Sequence, residues 1–190
     1  MVRSVPARQR AILSASVLVA ALVFAPAFAQ KMGGSGQARC EALLPLKVLN
    51  AELKGEFDYN DNIIPRTGLK DETSCKWLWG RGSDIVTIEV YWMGKAATVA
   101  YNKKVSPPPL PTTTAELLER QLKWRESVGR DKRRAVEGVG DRAALVSGAM
   151  RREIGYVQVG DEFIDFESAE LAPVQAETVL KLLKVRAGRP

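Results

Sequence analysis

The sequence predicts an α+β fold, an antiparallel β-sheet with helices packed against it in an α/β/α-like sandwich. Three observations carry this. Val86, Ile88, Val90 and Trp92 alternate with Thr87, Glu89 and Tyr91 over Ile85–Met93, the period of a strand with one face on a core and one toward water. Two further extended runs, Glu153–Val159 and Glu162–Ser168, are separated only by Gly160-Asp161, the signature of a tight hairpin. Segments with helical signals come before, between and after such runs, so the predicted order is helix, three strands, helix, three strands, helix.

The first element is a secretory signal. Arg3, Arg8 and Arg10 stand without an acid, Ala11–Phe24 carries no charge, and Ala27-Phe28-Ala29 gives an A-x-A ending, so residues 1–29 are expected to be cleaved off before Gln30. The apolar run is short for a membrane span of about 20 residues. Arg8-Gln9-Arg10 is not a twin arginine, which favours the general secretory route. Cys40 lies too far from the apolar run to be a lipid-modified first residue. The expected mature protein is therefore periplasmic or secreted and does not span a membrane. Residues 30–37 read as a flexible Gly/Ser-containing lead and 38–190 as one domain, a length that supports one hydrophobic core.

Within that domain Ala38–Leu44 reads as a short helical turn, and Pro45 opens a second helical stretch over Leu46–Leu53, which Lys54-Gly55 ends. Phe57–Leu69, with Asp58, Asn60, Asp61, Asn62, Pro65 and Gly68, is a polar loop. Cys75–Trp79 is a strand, Gly80-Arg81-Gly82-Ser83 a turn, Ile85–Met93 the second strand and Ala97–Val105 a third. After the proline-rich Ser106–Pro111, Thr113 and Glu116 make a capping box. In the helix it starts, Leu117, Trp124 and Val128 share one edge of an apolar arc with Leu118 and Leu122 along the other. Glu116, Arg120, Glu119 and Lys123 lie opposite as two i,i+4 pairs. Gly129 is the natural C-cap. Ala143–Ser147 begins the second set of strands. Pro173 opens the last helix, with Ala176, Val179, Leu180 and Leu183 on one stripe.

Composition removes several functions. Of 190 residues 46% are hydrophobic and 26% charged, which excludes a disordered, collagen-like or multi-span membrane chain. Histidine is absent, so histidine-based triads, imidazole metal sites and histidine general bases are excluded together. The formal charge of +6 falls to +3 once the signal's three arginines leave, 25 basic against 22 acidic side chains, a weak argument for nucleic acid. Cys40 and Cys75 are the two cysteines of a chain bound for an oxidising compartment and are expected to pair.

The remaining constellations are weighed on their chemistry. Gly138-Val139-Gly140-Asp141-Arg142-Ala143 spells a dinucleotide fingerprint, but a charged segment precedes it and a strand follows, so a tight turn is expected and no cofactor. Arg130, Lys132, Arg133 and Arg134 form a basic cluster able to hold phosphate or an acidic partner, with Arg151 and Arg152 as neighbours; it has no interleaved aromatics of the kind that stack on bases. Trp77, Trp79, Tyr91, Trp92 and Tyr101 fall on consecutive predicted strands. Trp77 and Trp92 are expected to pack inside, while Trp79 and Tyr91 are candidates for an exposed ligand surface. Asp58, Asp61, Asp161, Glu162, Asp165 and Glu167 are the available carboxylates, with no spacing that fixes a catalytic pair. Asp58–Asn62 lacks the glycine and terminal Glu of a calcium loop and reads as a turn, so no metal site is expected.

Four landmarks then stand in order: Cys40 ahead of Leu43-Leu44-Pro45; Ser74-Cys75-Lys76-Trp77; Gly138-Val139-Gly140-Asp141-Arg142-Ala143; and Tyr156–Phe166 around its glycine turn. In these the chain resembles a group of bacterial exported domains of unknown function, many of them lipoproteins. Those domains have one cysteine in a C-x-L-L helix, a second in a C-x-W strand and a G-x-G-D-x-A turn. Here one more residue separates Cys40 from the leucines, and no lipobox is present. The resemblance implies an architecture similar to PsbP-like α/β/α sandwiches, which serve mostly as interaction modules, and it brings no catalytic residues. The function expected is a non-enzymatic module that binds an envelope protein or a small ligand, and no nucleic acid. A carboxylate-based hydrolase and a cell-wall polysaccharide binder are the alternatives.

Overall fold

In the computed structural model of the chain, which describes residues 35–82, 84–128 and 133–183, the Gly160-Asp161 turn joins β6 (Arg152–Val159) to β7 (Glu162–Ala169) as the alternation requires. Gly160 takes φ +56°, a conformation that costs glycine little. The signal segment, Gly129, Arg130 and Lys132 lie outside the described residues.

The chain before that hairpin runs α1 (Ser35–Leu43), α2 (Leu46–Leu53), β1 (Asp58–Tyr59), β2 (Glu72–Trp79), β3 (Val86–Met93), α3 (Lys95–Val105), α4 (Thr114–Val128), β4 (Arg134–Ala135) and β5 (Arg142–Ser147). After it comes α5 (Pro173–Leu182). The strands form one antiparallel sheet in the order β1-β2-β3-β7-β6-β5-β4. Two meanders meet side by side at the β3–β7 pair, in a register that sets Val90 opposite Phe166 and Tyr91 opposite Asp165.

Helices cover both faces. On one side Leu43, Leu44, Leu49, Val179 and Leu180 pack with Trp77, Ile88, Val90, Val157 and Phe166 of the sheet. On the other, Tyr101 of α3 and Leu117, Leu118 and Leu122 of α4 pack with Met93, Tyr156 and Phe163. Each such fully buried large side chain stabilises the fold by about 1.5–3 kcal/mol. The disulfide between Cys40 and Cys75, with Cα atoms 5.5 Å apart, fastens α1 to β2. No helix among the described residues is long and apolar enough to cross a membrane.

Four local readings change. Helix α1 begins at Ser35, inside the predicted lead. Ala97–Val105, predicted as a strand, is the body of α3, and its cap explains why. Asp71, far back in the chain, lays Oδ2 against the N–H groups of Ala96 (2.8 Å) and Ala97 (3.1 Å), satisfying donors that a helix start leaves bare. Ala97, Thr98 and Tyr101 then turn inward at helical spacing. Strand β3 is not half-solvated: it is central, and the helix layer over Tyr91 and Met93 covers its second face. In α4, Trp124 and Val128 stand out in the solvent while Gln121 takes the inner place beside Leu118 and Leu122.

The capping box at α4 is shifted by one residue. Thr113 Oγ1 accepts the N–H of Glu116, as expected, but the Glu116 carboxylate reaches back to the N–H and hydroxyl of Thr112. Asp58–Asn62 holds the short β1, and its side-chain oxygens cap their own backbone: Asp58 Oδ1 accepts from Tyr59 N–H, Asn60 Oδ1 from Asn62 N–H. The Gly138–Ala143 segment is the tight turn expected, entering β5. Asp141 Oδ2 accepts the N–H of Gly160 at 2.6 Å and so ties this turn to the β6–β7 hairpin.

Candidate functional site

The site follows from the strand period. Side chains alternate along β7, so Phe163, Asp165 and Glu167 all point to the α3/α4 side. The register across the three central strands then places Tyr91 of β3, Asp165 of β7 and Tyr156 of β6 in one row. A carboxylate stands in the middle of a sheet, 1% exposed, between two tyrosines.

Arg66 compensates it. This residue sits on the long loop between β1 and β2, with its Nε 3.0 Å from Asp165 Oδ2 and its Nη2 2.6 Å from Glu167 Oε1. Its guanidinium lies 4.0 Å above the centre of the Tyr91 ring, so the ring face helps to hold the charge. The loop is itself clamped. The Glu72 carboxylate accepts from the N–H groups of Arg66, Thr67 and Gly68 and from the Thr67 hydroxyl, and Lys104 Nζ donates to the Arg66 carbonyl at 3.0 Å. Although burial opposes the charge on Glu72, those donors hold its carboxyl below the usual range.

Around the pair Asp165–Arg66 stand further polar groups. Tyr101 O–H donates to Asp165 Oδ2 at 3.3 Å. Arg125 donates from Nε to the Tyr156 hydroxyl at 3.0 Å, approaches Glu167 with Nη2 at 3.6 Å and stacks on the Trp124 ring. Burial pushes the Asp165 carboxyl up to about 6, against the downward pull of Arg66. Burial, followed by the neighbouring Asp165 charge, raises Tyr101.

One group in this floor is left without a partner among the described residues: Asp165 Oδ1 is buried and makes no hydrogen bond. Leaving such a group unpaired costs about 1–3 kcal/mol. Gln121, 4% exposed, stands in the same floor. Both residues line a cleft of about 780 Å³ between α3 and α4, walled by Tyr101, Val105, Pro107 and the half-exposed Trp124. Lys104, Arg120 and Lys123 stand at its mouth, and with Arg66 and Arg125 they make five cations against two carboxylates. A second cleft of about 500 Å³, which includes Met150 and Arg152, shares Arg125 and Glu167 as its boundary with the first.

The residues singled out from the sequence are distributed elsewhere. Trp79 is 37% exposed, as expected, and lies on the Cys75 face with its ring 5.7 Å from Phe57. Tyr91 is buried on the opposite face, hydrogen-bonded to Glu89 and roofed by Arg66, so the two aromatics form no common surface. The strand period is the reason: Tyr91 pairs with Ser74 in the register, whereas Trp79 pairs with Val86. Trp77 is fully buried, and Trp92 is half-buried with its indole N–H on Glu162. Arg130 and Lys132 lie outside the described residues. Arg133 is spent on Glu126 and Glu119, and Arg134 on Glu153 at 2.6 Å, so these two arginines serve as ion-pair partners and offer no unpaired surface. Glu119, expected to pair with Lys123, instead holds Arg133 and Arg142.

Sequence reading therefore reached Asp165, Glu167 and Tyr101 as residue types but missed the site. Arg66, Gln121 and Arg125 carried no local motif. Asp165 and Glu167 converge, yet both are held by Arg66 and both lie on one strand, so they do not flank a bond from two sides as a glycosidase pair does. Among the described residues no group of three or more acids or cysteines is placed to hold a metal ion. Comparison of the chain with protein-family models, with curated proteins and with solved structures finds no match.

Proposed function

We propose that this protein is an exported, non-enzymatic binding module for a small ligand, and that the cleft between α3 and α4 is its ligand site. The carrying observation is a buried, unpartnered polar atom, Asp165 Oδ1, in a cleft that the Gln121 side chain also lines. Buried polar groups are as a rule paired, and one left open beside a cleft marks that cleft as a built site. The volume of about 780 Å³ lies within the roughly 300–1,000 Å³ typical of small-ligand sites. Trp124 adds a half-exposed apolar wall.

Export is supported by the basic start, the uncharged run and the A-x-A ending of the sequence, together with the Cys40–Cys75 bridge. The hydrolase reading finds its two converging acids committed to arginines. The polysaccharide reading needed Tyr91 exposed beside the basic cluster, and Tyr91 is buried.

A fluorescent aromatic anion, 8-anilinonaphthalene-1-sulfonate, tests the site. Saturable one-to-one binding is expected, weakened about tenfold by Trp124→Ala, the loss of roughly 1.4 kcal/mol in contact. Trp79→Ala, which removes the exposed indole on the opposite face, is expected to leave it unchanged. Equal effects of the two substitutions, or no saturable binding, would refute the assignment.

A further inference from the structure

We infer that the ligand of this cleft is an amphipathic anion: a single head of acidic oxygens, carboxylate or phosphate, on a hydrocarbon body. This rests on the cleft being the ligand site and adds the chemistry that the site selects.

The charge distribution is the first argument. Inside the cleft Arg66 and Arg125 are matched by Asp165 and Glu167, so the floor is close to neutral. At the mouth Lys104, Arg120 and Lys123 have no acid in contact, although Glu116 lies within electrostatic reach of Arg120 and Glu126 of Lys123. Lys104 and Arg120 each donate one hydrogen bond to a backbone carbonyl, of Arg66 and Pro107, which fixes their position without neutralising them, and none of the three forms a salt bridge among the described residues. Three cations around one opening, two of them held by hydrogen bonds, over walls that exclude water on one side, make a positive field that an anionic head satisfies.

The second argument is the wall. Val105 and Pro107 from the α3 side and Trp124 from α4 line the same cleft as those cations with hydrocarbon. Trp124 is 51% exposed in α4 although the helix has an inner face to offer, so apolar area stays uncovered where a hydrocarbon body would lie. A small inorganic anion leaves this wall wet, and a neutral hydrocarbon leaves the cations unmatched. One ligand carrying both parts satisfies both.

Decanoate, decyl phosphate, decan-1-ol and acetate separate these contributions by calorimetry on the full mature chain, with competition against the fluorescent anion. Decanoate or decyl phosphate is expected to bind at least about tenfold more tightly than decan-1-ol, and acetate weakly; whichever acid binds better names the head. Lys123→Gln and the charge reversal Lys123→Glu alter an exposed side chain with no hydrogen bond among the described residues, and are expected to weaken decanoate in that order while leaving decan-1-ol unchanged. Added salt is expected to weaken decanoate and leave the alcohol unaffected. If decan-1-ol binds as tightly as the acids, or if the Lys123 variants change nothing, the anion requirement is overturned while the cleft assignment stands. If no alkyl compound binds but the fluorescent anion still depends on Trp124, the alkyl-anion inference alone is overturned. Loss of that dependence as well removes the cleft assignment too.

Discussion

Replacing Arg66 by Met keeps a side chain of similar reach over Tyr91 but removes the cation that lies 3.0 Å from Asp165 and 2.6 Å from Glu167. Asp165 is 1% exposed, so its charge loses its nearest compensation without gaining water. Stripping one partner from a buried ion pair costs about 3–5 kcal/mol. The size of the loss depends on pH in a direction that can be worked out. Burial raises the Asp165 carboxyl from its ordinary 3.8 to about 6 in the folded chain. The folded state therefore holds this proton more tightly than the unfolded state does. Its stabilising contribution is complete below pH 3.8 and is lost as the pH rises through about 6, a change of about 3 kcal/mol. Other groups facing Asp165 are Tyr91, Tyr101, Tyr156, Arg125 and Glu167; Arg125 pulls the proton off and Glu167 holds it on. Glu72 and Glu89, whose carboxyls are held low, act in the opposite sense at more acid pH; the hydrogen bonds that lower Glu72 come from backbone and Thr67 and survive the substitution, while Glu89 keeps Lys76 and Tyr91 and loses only the smaller pull of Arg66. Without Arg66 the carboxyl is driven up further, so at about pH 5 it is protonated in the variant and the penalty shrinks to about 1–2 kcal/mol. Urea unfolding followed by tryptophan fluorescence at about pH 7.5 and about pH 5 reads both values. A loss below about 1 kcal/mol at the higher pH, or an equal loss at the two, would show that Asp165 is not the buried, Arg66-compensated charge described here.

Three other outcomes follow from the fold. Replacing both Cys40 and Cys75 by Ser should lower stability by about 2–5 kcal/mol, with α1 losing hydrogen-exchange protection while β3, held between two strands, keeps it. Gly140→Ala should destabilise by about 2 kcal/mol or more, since φ is +56° and an added Cβ would run into the Gln158 carbonyl and the Val157 side chain; Gly138→Ala, at φ +80° with open space around it, should cost less on the same unfolding curve. Mass spectrometry of exported protein should find a chain beginning at Gln30, and an intact Met1 chain in the membrane fraction would contradict the signal assignment.

Much of the scaffold was legible because it is local. Strand β3 and the β6–β7 hairpin declare themselves through period-two alternation and a glycine turn, and α5 through Pro173 and its stripe of Ala176, Val179 and Leu180. Helix α3 was not legible, because its cap is Asp71 and because Thr98, Val99 and Tyr101 favour extended chain when read by propensity alone. The inward set Ala97, Tyr101 and Val105, four residues apart, was the usable signal. The depth of Tyr91 was invisible for a related reason: only a helix layer supplied by a misread segment could bury it. The site itself is assembled from a loop at Arg66, two helices carrying Tyr101 and Gln121, and the middle of β7 at Asp165. No window of sequence contains it. An acid flanked by Phe163, Ile164 and Phe166 in a strand was the one local hint, because a charge among those neighbours requires a partner from elsewhere.

The most direct test of the cleft is a two-dimensional ¹H–¹⁵N spectrum of the mature chain titrated with decanoate. The account predicts the largest shifts at the Gln121 side-chain amide and the Trp124 indole N–H, with smaller ones at the Nε–H of Arg66 and Arg125, and none at the Trp79 indole on the opposite face. Shifts centred on Trp79, or scattered without Gln121 and Trp124, would contradict it.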